Sequence, residues 1–141
     1  MSTTEENKAL VRRYWEEFFN KRNLAVIDEL IAPNYVSHDS GGSESLGREA
    51  ARQVATSTFG GFPDFHATVK DQVAEGDKVV TRGFARMTQR GEFMGIPPTG
   101  KDVTFTWVAI DRIEGGKIVE AWSEGDGLGL LRQLGAIPTP G

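Results

Sequence analysis

KIVEAWSEGDGLGLLRQLG, Lys117 to Gly135, decides how the rest of the chain is read. Ile118, Val119 and Trp122 stand among polar residues, so its first half is a strand. Gly125, Gly127 and Gly129 then surround Glu124 and Asp126 and free the backbone to turn sharply where the strand gives out. Leu128, Leu130, Leu131 and Leu134 form a short apolar tail that folds back. Two roles are open to Asp126. In an apolar pocket it is a general base, its pKa raised by desolvation. On a turn it is the N-cap of the tail. Glu124 shares its face if the strand continues, and two carboxylates that close push one pKa up; otherwise Glu124 is simply solvated.

Moving upstream, Gly115-Gly116 turns this strand out of a longer one, Asp102 to Glu114. Val103, Phe105, Trp107 and Ala109 lie on one face of it, and Thr104, Thr106, Val108 and Ile110 on the other. Neither face is plainly wet. Helices are expected on one side and a second subunit on the other, hence a homodimer. Asp111-Arg112 reads as an ion pair at the strand end, with no function. The preceding loop, Arg90 to Lys101 (RGEFMGIPPTGK), holds Phe93, Met94 and Ile96 among Gly and Pro, so it is expected to cover a pocket or pack on a partner. Val79 to Gln89 is a strand, reached through the turn Glu75–Lys78 from the alternating segment Phe65–Lys70. His66 falls on the wet side of that alternation, and Asp64, after Pro63, caps the turn.

The first sixty residues have a different period. Thr3 and Glu6 form a capping box, followed by Leu10, Val11, Tyr14, Trp15 and Phe18 at helical spacing to about Asn20-Lys21. Asn23 caps a second helix with Leu24, Ile27, Leu30 and Ile31, stopped by Pro33. Tyr35–His38 is a short extended piece. Ser45 is expected to cap a third helix, Leu46 to Phe59, ended by Gly60-Gly61. Helices first and a meander of antiparallel strands after give an α+β fold, one domain over residues 1–141 with a loose tail from Ala136.

A net charge of −4 over 141 residues, with no long Lys/Arg run, speaks against nucleic acid as a partner. Without cysteine there is no disulfide, thiolate metal site or Cys nucleophile, which fits a cytoplasmic protein. Two separated histidines give no metal-ligand spacing, so no metal is expected. No phosphate-cradling loop or nucleophile elbow is present. The polar, acidic start MSTTEENK is not a signal peptide, and no apolar run reaches membrane-spanning length.

GEFMGIPPTGK (Gly91–Lys101), GGKIVEAW (Gly115–Trp122), GDGLGLLRQLG (Gly125–Gly135), FPDF (Phe62–Phe65) and the opening NKALVRRYWEEFFNKRNLAVIDELIAPNYVSHD resemble the SnoaL-like polyketide cyclase family, within the nuclear-transport-factor-like α+β cone superfamily. The resemblance covers nearly the whole chain. It implies a strongly bent antiparallel sheet wrapped as a cone around three N-terminal helices, a deep apolar pocket, and a dimer. Characterised members close a ring by intramolecular aldol condensation with an Asp as acid/base and no cofactor. The best match to that Asp here is Asp126. Many relatives carry a histidine where this chain has Ala121, and a bulky residue where it has Gly125.

The expected enzyme is thus a cofactor-independent cyclase or isomerase acting on an apolar carbonyl compound, flat polycyclic molecules included. The alternatives are a non-catalytic binding protein or an epoxide hydrolase-like activity on the same fold. His38 joins Asp126 as a candidate catalytic residue, able to polarise a carbonyl or relay a proton. Tyr14, Trp15, Phe18, Trp107 and Trp122 are core by default and pocket walls if the cone is hollow.

Overall fold

Thr3 and Glu6 close the capping box read from the sequence. Thr3 Oγ1 accepts from Glu6 N at 3.1 Å, and Glu6 Oε1 accepts from Thr3 N at 3.2 Å. They start α1 (Thr4–Arg13) in the computed structural model, which describes residues 3–138. The helix then widens into a π-helical segment, Tyr14–Asn20. Residues four and five apart share a face there, so Tyr14 meets both Phe18 (5.3 Å between rings) and Phe19 (5.4 Å). Asn20 ties the end of this segment to the sheet: its side chain donates to Ala67 O and accepts from Ala67 N, at 2.9 and 2.8 Å.

A 3-10 turn, Leu24–Val26, and the short α2 (Ile27–Leu30) lead into β1 (Ile31–His38). Next come β2 (Glu44–Leu46), α3 (Gly47–Gly61), β3 (His66–Glu75), β4 (Lys78–Thr88), β5 (Asp102–Glu114), β6 (Lys117–Gly125) and α4 (Gly127–Gln133). Two local expectations are corrected. Ser45 does not cap α3; it is paired with Ser37 in the β1–β2 ladder. Gly60-Gly61 lie within α3, and the Gly61 carbonyl accepts from Arg90 N and Gly91 N. Of the tail expected from Ala136 onward, residues 139–141 lie outside the described residues.

The sheet runs β2-β1-β6-β5-β4-β3. The last four strands form the expected antiparallel meander, but β1 joins β6 in parallel, with His38 opposite Trp122. The resulting curled, unclosed sheet wraps the helices, as expected of a cone. Register shifts between Val69 and Asp71 and between Arg112 and Ile113 bend the long strands. On β5, residues 103, 107, 109, 111 and 113 are buried on the concave side, while Thr104, Thr106 and Val108 are exposed. Fully buried Val11, Phe18, Ile27, Leu30, Phe62 and Ile118 fill the space between helices and sheet. Asp64 has the structural role expected, accepting from Thr88 N at 2.7 Å. No helix among the described residues is long and apolar enough to cross a membrane.

Candidate active site

The helices do not fill the concave side completely. A cavity of about 510 Å³ remains between the π-helical segment, α3, β1, β5 and β6. That is within the range of small-molecule sites. Its walls are mainly aromatic: Trp15, Phe19, Phe65, Phe105 and Trp107. Trp15 and Trp107 stack at 4.1 Å with 24° between planes. Ala50, Ala51 and Val54 of α3 line another side. Met94 reaches the cavity from the 90–101 loop, while Phe93 packs edge-on against Phe62 at 5.0 Å. The loop is held by buried Gln89, whose amide donates to the Gly91 and Ile96 carbonyls and whose Oε1 accepts from Thr99.

Asp111 from β5, Tyr14 from the π-helical segment and Tyr35 from β1 are buried polar residues of the cavity lining, and Ser37, Asp39, Ser40, Ser123 and Glu124 add polar groups to it. Asp111 is only 7% exposed, and among the described residues nothing donates a hydrogen bond to its carboxylate or pairs with its charge. Its register partner on β6 is Ala121, which offers only a methyl group. Burial without compensation disfavours the charged form, and the Asp111 carboxyl is pushed up to about 7. Burial, and the nearby Asp111 charge, also raise both phenols, Tyr14 well above the ordinary range. Tyr14 and Tyr35 therefore remain hydrogen-bond donors at any physiological pH. A carboxylate near its midpoint, two phenol donors and a largely apolar pocket together suit proton transfer to and from carbon beside a carbonyl.

The residues singled out from sequence divide between the two sides of the sheet. Tyr14, Trp15 and Trp107 line the cavity. Phe18 lies wholly in the core. Trp122 points to the convex side, where it stacks on His38 at 5.4 Å and 10°. His38 is outside the cavity too. Its Nε2 lies 2.7 Å from Glu120 Oε2 and its Nδ1 3.4 Å from Glu44 Oε2. Arg112 Nη2 also reaches Glu120, at 3.2 Å, and His38 and Arg112 together hold that carboxyl below the usual range. Asp126 is exposed and does not line the cavity. Its Oδ1 accepts from Gly129 N at 2.8 Å, so it is the N-cap of α4. Glu124 stands exposed at the rim. Asp111 is the residue missed in the sequence. Continued by two residues, the period that puts Trp107 and Ala109 on the concave face puts Asp111 there as well.

A family model for SnoaL-like polyketide cyclases matches residues 9–134. A search of curated protein sequences gives no significant match. Among solved structures, IdmH of Streptomyces antibioticus, a candidate polyketide cyclase, is 38% identical over 92% of this chain and 98% of its own, with a TM-score of 0.82. AclR of Streptomyces galilaeus, a candidate hydroxylase, is 30% identical over 99% and 87%, with a TM-score of 0.87. A SnoaL-like polyketide cyclase candidate from Jannaschia sp. CCS1 is 26% identical over 98% of each chain, with a TM-score of 0.88.

Proposed function

Because the chain belongs to the SnoaL-like polyketide cyclase family, we propose that it closes a ring on an apolar carbonyl compound, with Asp111 as the acid/base. The observation that carries this is the Asp111 carboxylate, buried, unpaired among the described residues and facing an aromatic cavity. The ionised carboxylate takes a proton from carbon between two carbonyl groups. The enolate carbon attacks a third, more distant carbonyl of the same molecule, forming the C–C bond, and that carbonyl's oxygen becomes an alkoxide. Protonated Asp111 returns the proton to the alkoxide, so the reaction is an isomerisation that consumes nothing and asks for no cofactor. Tyr14 and Tyr35 donate to the oxygen on which charge develops. Asp126 keeps its capping role, and His38 its place on the convex face. In this picture the protein works as a cytoplasmic homodimer, docked through the convex face, where Val80 and Val108 are exposed.

The test pairs turnover with affinity. Asp111→Asn keeps shape and polarity but cannot accept the proton. On a model polyketide ester it is expected to lose about a hundredfold to ten-thousandfold in rate, with ligand affinity nearly unchanged. A binding protein of the same fold would show no turnover in either form. Turnover that survives the substitution would falsify the assignment of Asp111.

A further inference from the structure

Gly83 and Gly125 flank Trp107 in the sheet, one on β4 and one on β6. A Cβ added at Gly83 would strike the Thr68 carbonyl, which is backbone, and the Trp107 ring at 2.6 Å. The sheet itself requires that glycine. Gly125 is different. Its φ lies outside the left-handed region, so its backbone suits any residue. The three atoms that a Cβ there would meet first all belong to the ring of Phe105, with two ring carbons at 3.0 Å and the ring tip closer still. That ring is the far end of a mobile side chain, and the open space beside it is the cavity it lines. A side chain at position 125 therefore moves the ring out of its rotamer well without disturbing the strand.

We propose that Gly125 is a specificity-determining residue. By leaving room for Phe105 against β6, it keeps the cavity wide enough for a flat apolar ligand of three or more fused rings. Any larger residue at 125 turns the ring into the cavity and restricts the site to smaller ligands. The inference rests on the cavity being the ligand site, and is independent of which residue moves the proton.

The experiment measures binding by quenching of tryptophan fluorescence, with 1-naphthol as the small probe and 1,8-dihydroxyanthraquinone as the large one. Gly125→Ala is expected to weaken the three-ring probe at least tenfold and to leave the two-ring probe within twofold. Adding Phe105→Ala to Gly125→Ala is expected to restore the large probe, because the clash needs both partners. Phe105→Ala alone should shift preference toward the larger probe, and reads the same wall without requiring Gly125→Ala to fold. Equal loss for both probes, no change in their ratio, or failure of the double variant to recover would overturn the proposal. Wild-type protein that binds neither probe would overturn it together with the cavity as a ligand site. Asp111→Asn separates the two ideas: if it turns over normally while the size preference follows position 125, the acid/base assignment fails and the role of Gly125 stands.

Discussion

Asp111 and Arg112 are neighbours in sequence, yet they have opposite surroundings. The strand sends Arg112 to the convex face, where it meets Glu120 and Glu114, each at 3.2 Å, beside the stacked pair His38 and Trp122. Every charge in that cluster has a partner and access to water. Asp111 points the other way, into an aromatic cavity, with Ala121 across the ladder and no partner. The convex cluster satisfies itself, which makes it a structural feature worth little in stability. The concave carboxylate is paid for by the rest of the fold, and groups kept in that condition are candidates for chemistry. Charge alone distinguishes nothing here; the state of pairing does.

The largest expected contrast is kinetic. Asp111→Asn should remove about two to four orders of magnitude in rate, whereas Arg112→Gln should leave kcat/KM within twofold in the same turnover assay. Equal effects would erase the difference between the two faces.

The second contrast is in pH. The base works ionised, so kcat/KM should rise as pH increases through about 7. Stability should move the opposite way. The folded carboxyl titrates near 7 and the unfolded one near 3.8, so the native state holds a proton that the unfolded chain has released. Stability therefore falls as pH rises from about 4 to about 7 and is level above that, as far as Asp111 governs it. In urea melts at pH 8, Asp111→Asn should be more stable than wild type by up to about 4 kcal/mol, the rise from 3.8 to about 7 converted at about 1.4 kcal/mol per pH unit, and the two should converge near pH 4. Ala121→His would supply the missing partner across the β5–β6 ladder. Its protonated form should lower the Asp111 carboxyl and shift the rising limb of the pH–rate profile to lower pH. A limb that stays in place would show that position 121 does not reach the carboxylate.

Smaller effects are expected where partners already exist. Asp126→Ala should cost about 1 kcal/mol in a denaturant melt, the usual loss for a helix cap, with turnover nearly unchanged. A collapse of turnover without a change in stability would return Asp126 to the chemistry. His38→Ala should cost less than about 1 kcal/mol, an effect that shrinks in high salt.

Periodicity made most of the fold legible. The capping box at Thr3 and Glu6, the alternation along β5 and the turn at Gly115-Gly116 each leave a local signal, and each element formed where its signal lies. The parallel pairing of β1 with β6 leaves none, because it joins segments from opposite ends of the chain. Ser45 fails as a cap for a related reason: a serine before a helix resembles one, but Ser45 is paired with Ser37 and Leu46 holds the cap position. Among the cavity-lining residues, Tyr14, Trp15 and Trp107 are expected from aromatic spacing. Asp111 was hidden by Arg112, since adjacent opposite charges resemble a surface ion pair although a strand must point them to opposite faces. For Asp126 the sequence leaves base and cap both open, because the choice depends on where the glycine-rich turn after β6 points; that turn brings Gly129 N within reach of its side chain.

The β1–β6 pairing also sets an order in time. The β3–β6 meander is built from neighbours in sequence and can zip hairpin by hairpin. β1 must wait for β6, the last strand of that meander, and contacts of such long range form slowly because the loop between them has to close first. Tyr35 rides on β1, while Asp111 rides on the meander. On a ribosome, the two therefore come together only after β6 has emerged, and until then the aromatic lining of the cavity is exposed to whatever else the nascent chain can meet.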